Sequence, residues 1–213
     1  MITLIQAANA ASFQTEHYGM HKLRAQKFHT RMGWPVTVRE GRETDTFDDL
    51  NPLYIVGTAA SGEVISSARL LPTTGPNMLA DVFSALLPDG IAVRSPHIWE
   101  SSRFSVLTQL SEQRSDQLIH YRTAELLCGV IEVGVMAGLD YIVSVVDVSI
   151  ERVLRRAGCP CERLGPPARI GRSLAIAGMF PMTEQLLAGV RAAGGITGSV
   201  LNPDAQTALT LAA

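Results

Sequence analysis

Glu100 and Arg103 lie three residues apart in HIWESSRFSV (97–106). The segment alternates like a strand, with Ile98, Phe104 and Val106 on the face a core would take. Glu100 falls on that same face. A buried carboxylate without a partner is costly, so a glutamate there asks for a chemical reason. Residues three apart on a regular strand point to opposite faces, and a direct Glu100–Arg103 ion pair would need a bulge or bend. Arg69 interrupts a second apolar run, EVISSARLL (63–71). Glu43, Asp45, Asp48 and Asp49 crowd EGRETDTFDD (40–49), just after Phe28 and Trp34.

Taken singly, each residue has an ordinary explanation. Arg69 could face solvent on a one-sided sheet, the acidic run could be a solvated turn, and Phe28 and Trp34 could be core. Taken together they describe a cleft for a ligand with a fixed positive charge, an amine and a carboxylate. Aromatic faces attract the cation, carboxylates neutralise it, and arginine grips a carboxylate through two parallel hydrogen bonds. A partly buried glutamate serves as a general base once its pKa rises toward the working pH. S-adenosylmethionine fits that description.

The elements that must position these residues can be read from spacing. Residues 14–31 form an amphipathic helix closed by Gly33 and Pro35, and 40–49 form a loop. Strands 53–60 and 63–71 make a hairpin across Ser61-Gly62. Residues 78–87 form a short helix, 97–106 a strand and 113–138 the longest helix. A strand at 140–146, a helix at 149–158, a strand at 169–178 and a helix at 183–193 follow. Strands first, then alternating strands and helices, give an α/β (α+β mixed) fold with a central mixed sheet flanked by helices.

The 213 residues, 46% of them hydrophobic, suffice for one sizeable core. A net charge of −2 argues against non-specific nucleic-acid binding. No apolar run approaches the roughly 20 residues that span a bilayer. The N-terminus lacks a basic segment followed by a long apolar one, so the chain reads as cytoplasmic. Cys128, Cys159 and Cys161 are an odd number and read as free thiols. The histidines never stand at ligand spacing near a second cysteine pair, so no metal is expected.

Four stretches, HKLRAQKF with GW (21–34), ETDTFDD (43–49), SARLLPTTGPNML (67–79) and HIWESSRF (97–104), resemble the acyl-homoserine lactone synthases of quorum sensing. The family's hallmark pattern falls on Arg24, Phe28, Trp34, Asp45, Asp48, Arg69, Glu100 and Arg103. The second half, with DYIVSVVDVSIERVLRRAG, is similar more loosely. The resemblance implies one N-acetyltransferase-like domain over 1–213, with S-adenosylmethionine chemistry in 1–110 and acyl-chain and carrier-protein contacts in 111–213. It implies transfer of an acyl group from acyl carrier protein to the amine of S-adenosylmethionine, then lactonisation with release of methylthioadenosine. S-adenosylmethionine is then a substrate and no cofactor is needed.

On that resemblance Glu100 is the catalytic base, with Arg103 beside it. Arg24, Phe28, Trp34, Asp45, Asp48, Arg69 and Arg103 bind or brace the S-adenosylmethionine site, without a division of roles among the arginines. Backbone amides of the Glu100–Phe104 strand are candidates for the oxyanion. Ser101, Phe104, Leu126, Ser144, Val146, Leu154 and Leu174 are candidates for the acyl pocket. Ser144 stands where a threonine often accompanies 3-oxo chains, which leaves chain oxidation open. Arg152, Arg155 and Arg156 share a helix face suited to acidic acyl carrier protein, with Arg163, Arg169 and Arg172 soon after. Acyl-coenzyme A is the alternative donor.

Two rivals remain. An acetyl-coenzyme A acetyltransferase would want a glycine-rich turn after the Glu100 strand, and SVLTQLSEQRSDQ contains no glycine. A non-catalytic S-adenosylmethionine sensor would share the cleft but consume no ligand.

Overall fold

The computed structural model describes residues 1–107 and 119–203. Strand β1 (Ile2–Ile5) leads to helix α1 (Gln14–Arg24), which widens into a π-helical segment at Ala25–Arg31. A small hairpin follows, β2 (Val38–Arg39) and β3 (Arg42–Glu43), then β4 (Leu53–Thr58), β5 (Val64–Pro72) and the single turn α2 (Met78–Asp81). Strand β6 (Ile98–Val106), helix α3 (Tyr121–Met136), β7 (Tyr141–Asp147) and α4 (Val148–Arg156) come next. Strands β8 (Glu162–Arg163), β9 (Ala168–Ile170) and β10 (Ser173–Pro181) precede α5 (Glu184–Gly194).

One mixed sheet runs β1-β4-β5-β6-β7-β10-β8, with β9 paired to β10. Its neighbours are antiparallel except β6 and β7, which run parallel. Strand β4 is buried on both faces, which is why LYIV reads as an unbroken apolar run. Leu53 and Ile55 join the core beneath α3 and α5, while Tyr54 and Val56 face Met20 and Leu23 of α1. Helix α5 lies so close to α3 that a β-carbon on Gly194 would stand 2.2 Å from the Ala124 side chain. Truncating Ile55, wholly buried in the larger core, to alanine would cost about 2–5 kcal/mol.

Several elements depart from the sequence reading for identifiable reasons. The 40–49 loop contains β3 and a 3-10 turn at Thr46–Leu50, and it begins in a tight turn where Glu40 and Gly41 both take positive φ. Two-residue strands carry no period to detect. The expected 78–87 helix stops at Asp81. It resumes as a 3-10 turn at Ser84–Leu86, so that Leu79, Leu86 and Leu87 reach one cluster against β7 and β10. The expected 169–178 strand is a hairpin turning at Gly171, whose φ is 57°. Residues 113–118 of the expected long helix lie outside the described residues. Strand β1 was not foreseen; it pairs with β4 and bridges to Leu201.

Candidate active site

Strand β6 changes phase in its middle. Ser67 pairs with Ser105, but Arg69 pairs with Ser102, so two residues of β6 stand opposite Ala68. Arg103 takes φ 54° at this bulge, a left-handed conformation that costs a residue with a β-carbon about 1–2 kcal/mol. The bulge separates residues that the alternating pattern grouped together. Ile98 packs toward α2 and β10, whereas Phe104 and Val106 pack with α3. The direct Glu100–Arg103 ion pair is not formed; each residue finds other partners.

Arg103 reaches the acidic segment instead. Its Nε donates to Glu43 Oε1 at 3.1 Å, and its terminal nitrogen lies 3.0 Å from Glu43 and 2.8 Å from Asp45. Arg24 donates from Nε to Glu43 Oε2 at 2.5 Å and from both terminal nitrogens to Asp48 at 2.8 and 2.9 Å. Arg69 donates to Asp45 at 2.5 and 3.1 Å, to Asp48 at 2.8 Å and to Ser102 Oγ at 3.2 Å. Three guanidiniums and three carboxylates thus close on one another, with Arg24, Arg69 and Glu43 essentially inaccessible. Such buried pairs contribute little net stability, but removing one partner strands a charge.

The local sequence supports this network. Asp45 caps the 3-10 turn, and Asp48 accepts the Asp45 backbone N–H in return. Burial alone would raise the Asp48 pKa, but hydrogen bonds and charge from Arg24 and Arg69 hold its carboxyl well below the usual range. Tyr54 donates to Asp48 Oδ1 at 2.8 Å. His21 Nδ1 lies 2.8 Å from the Glu43 carbonyl, which accepts only, so this nitrogen carries the proton. Burial and the neighbouring Arg24 charge push the His21 pKa down to about 4. Glu43 received no individual role from sequence, and His21 and Tyr54 were missed. Only the fold shows that β3, β4 and α1 meet here.

Glu100 is 1% exposed. Its two oxygens accept the backbone N–H groups of Met78 at 3.0 Å and Leu79 at 2.5 Å, at the start of α2. Burial pushes its pKa up, and the two amides and Arg69 pull part of the way back. A carboxylate has about four acceptor positions, so two remain for a water or a substrate amine. Met78, also missed, places its sulfur 3.2 Å from Arg69 and 3.4 Å from Arg103.

Beside Glu100 the sheet forks. Strands β6 and β7 pair only from Ile98 to Glu100, against Tyr141 to Val143. Beyond that point a cavity of about 620 Å³ opens between them. Glu100, Arg103, Phe28 and Trp34 line it, and the two rings stack with centroids 5.3 Å apart. Arg103 also lies over the Phe28 ring at 5.2 Å. Arg24, Asp45, Asp48 and Arg69 do not line the cavity; they stand behind it, where Asp45 with Glu43 holds Arg103 and the other two arginines pair with the same acidic segment.

Ser101, Phe104, Ser144, Val146 and Leu154 also line the cavity, and Ser144 Oγ donates to the Ser101 carbonyl at 2.8 Å. Leu126 and Leu174 do not line it. Leu126 is wholly buried in the core and Leu174 is 45% exposed, and their neighbours Leu127 and Ala175 line the wall instead. Cys159 also lines the wall, and burial pushes its thiol up to about 12. Arg152, Arg155 and Arg156 are exposed on α4, close to the wall residues Ile150 and Val153. Arg155 and Arg163 both pair with Glu151, at 2.9 and 2.6 Å. Among the described residues no group of three His, Cys, Asp or Glu side chains is gathered to hold a metal ion. No helix there is long and apolar enough to cross a membrane.

Comparison with known proteins bears on the family and the fold. An acyl-homoserine-lactone synthase of Rhizobium radiobacter is 41% identical over 162 residues, 76% of each chain. The CoA-dependent acyl-homoserine lactone synthase MesI superposes with a TM-score of 0.83 at 25% identity, covering 95% of this chain and 100% of its own. TofI, solved with an inhibitor and MTA, gives 0.74 at 28% identity, covering 92% and 100%. In fold alone, an assigned N-acetyltransferase from Lactobacillus plantarum is also similar, with a TM-score of 0.56 at 14% identity, covering 85% and 99%. The autoinducer synthase family matches residues 9–189, a span that contains the forked sheet, the ion-paired arginines and Glu100. The chain belongs to the autoinducer synthase family.

Proposed function

We propose that this acyl-homoserine-lactone synthase, an acyltransferase, takes its acyl group from a thioester on acyl carrier protein and passes it to the amine of S-adenosylmethionine. The observation that carries this reading is Glu100, buried at the fork of β6 and β7 with acceptor positions to spare. Glu100, through a water, takes a proton from the substrate amine. The nitrogen attacks the thioester carbonyl, the C–S bond to the carrier breaks, and an amide forms. Backbone groups of β6 beyond Glu100 are candidates to steady the oxyanion, because β7 no longer pairs with them. The substrate carboxylate then displaces the sulfonium, closing the lactone as the second C–S bond breaks and methylthioadenosine leaves. Positioning is enough for that step, because the sulfonium is already a good leaving group.

Phe28 and Trp34 wall the adenosyl or sulfonium portion. Arg24, Asp45, Asp48 and Arg69 brace Arg103. Ser101, Phe104, Ser144, Val146 and Leu154 take the acyl chain, so residues 1–110 supply the S-adenosylmethionine half and 111–213 the acyl half. Carrier protein docks on Arg152 and Arg156 of α4, with Arg169 and Arg172 nearby; Arg155 is already held by Glu151. This reading puts the enzyme in the cytoplasm, with its carrier. Acyl-coenzyme A is the second donor, favoured by the likeness to CoA-dependent MesI.

Mass spectrometry of lipophilic extracts from bacteria expressing the chain, beside a Glu100→Gln control, tests the reaction. A homoserine-lactone fragment with one acyl mass, absent in the control, is the expected result. No lactone from soluble wild-type protein supplied with diverse donors would overturn the reading.

A further inference from the structure

Among the described residues the cavity wall carries four basic side chains, Lys27, Arg31, Arg103 and His120. Arg103 is paired with Glu43 and Asp45, and Arg31 and His120 have partners of their own. The ammonium of Lys27, a residue only partly exposed, has no hydrogen-bond or ion-pair partner among the described residues. The two described acids of the wall are engaged elsewhere, Glu100 by two backbone amides and Asp147 by the Ser149 N–H, and Glu43, Asp45 and Asp48 behind it are paired with arginines. Burial and the Arg31 charge pull the Lys27 ammonium below its ordinary pKa, and no carboxylate among the described residues opposes them.

The backbone brings this cation to the cavity. The chain passes from α-helix to π-helix at Ala25–Arg31, a rare distortion that concentrates at functional sites. Lys27, Phe28 and Arg31 of that segment all line the wall. Two cations four residues apart repel and weaken a helix, and desolvating one of them adds to the cost. An anion in the cavity would relieve both. Arg24 and Arg69 do not supply this charge to a ligand, since they are held by the acidic segment and do not line the cavity.

We propose that Lys27 is an oxyanion-binding residue of this site, taking an anionic oxygen of a bound substrate. The inference rests on the function proposed above, which offers two sources of such an oxygen. One is the α-carboxylate of S-adenosylmethionine; the other is a phosphate of the donor's phosphopantetheine arm. The position of Lys27 beside the Phe28–Trp34 stack favours the carboxylate.

Full-length wild type, Lys27→Met and Lys27→Arg test this in two arms. In the first, calorimetry compares binding of S-adenosylmethionine with its decarboxylated analogue. In the second, KM for an acyl-coenzyme A is compared with KM for the corresponding acyl-pantetheine, which lacks phosphate. We expect the wild type to favour the carboxylate-bearing ligand by about 10- to 100-fold. Lys27→Met should reduce that preference to within about threefold and Lys27→Arg should restore most of it. If the lost preference is the one for coenzyme A, the oxyanion role stands and the phosphate is its source. Both preferences surviving in Lys27→Met, or neither existing in the wild type, would overturn the proposal. A wild type that binds S-adenosylmethionine but forms no lactone would refute the synthase reading, while the calorimetric arm still decides the role of Lys27.

Discussion

Arg103 donates to Glu43 at 3.1 Å across 60 residues of sequence, and it does so because its own backbone leaves the regular strand. The positive φ at Arg103 swings the guanidinium out of β6 and lets Phe104 turn into the core. Strain at one residue thereby joins the fork wall to the acidic segment. Strained positions of this kind persist where the surroundings over-determine them. Here two carboxylates and the Phe28 ring hold the same guanidinium.

Arg103→Lys keeps the charge but loses the planar fork that meets Glu43 and Asp45 together. We expect kcat/KM for lactone formation to fall about 10- to 100-fold, with a smaller loss of thermal stability than Arg24→Lys, whose side chain is wholly enclosed. Steady-state kinetics and thermal melts of both variants check this. Equal activity in Arg103→Lys and wild type would show that the fork geometry is dispensable.

Glu100 acts as a base only when ionised, and its pKa is raised by burial. The acid limb of kcat/KM should therefore bend above the 4.5 of an ordinary glutamate, with activity lost as pH falls through that bend. Glu100→Gln should lower turnover about 10²- to 10⁴-fold while S-adenosylmethionine binding, read by calorimetry, changes little. The same raised pKa means that ionised Glu100 opposes folding: its favourable contribution is complete below pH 4.5 and lost as pH rises. Wild-type turnover in the glutamine variant would remove Glu100 from the proton transfer.

How much of this was legible in sequence depends on the distance over which each fact is decided. Glu100, Arg103 and Arg69 stood out because charged residues inside apolar strands are conspicuous locally. Strand geometry required a bulge only for a direct Glu100–Arg103 pair, which does not form; the bulge opposite Ala68 was not legible, so Phe104 and Val106 were assigned to the face of Glu100. Leu126 and Leu174 fail for a related reason. When a helix or strand is buried on more than one side, one residue of phase separates Leu126 from Leu127 or Leu174 from Ala175. His21, Tyr54 and Glu43 matter only through partners that the fold brings in, and Lys27 stands out only once its neighbours are seen to be paired.

Carrier docking on α4 predicts a split between donors. Arg152→Glu with Arg156→Glu should raise KM for acyl carrier protein about 10-fold, with little change for S-adenosylmethionine. The effect on an acyl-coenzyme A should be smaller, and the wild-type KM for carrier protein should climb with salt. Arg155 is left intact because it holds Glu151. An unchanged carrier KM would move the docking face elsewhere.

His21 is neutral in the fold, with its pKa pushed down to about 4 by burial first and Arg24 second. Between pH 6.5 and about 4 the unfolded chain binds a proton that the folded chain refuses, so stability must fall as pH falls through that window. For a shift of this size the loss is about 3 kcal/mol, and half-buried His17, also shifted down by burial, adds with the same sign. Asp48 contributes in a different range. Its depressed pKa gives stability that is complete above the ordinary carboxylate range and lost only in stronger acid. Urea unfolding of wild type and His21→Gln at pH 7.5 and 5 separates the histidine term, since glutamine can still donate to the Glu43 carbonyl but does not titrate. Wild type should lose about 1–2 kcal/mol more than the variant between those two pH values. An equal loss in both would mean that the folded chain protonates His21 as readily as the unfolded chain does.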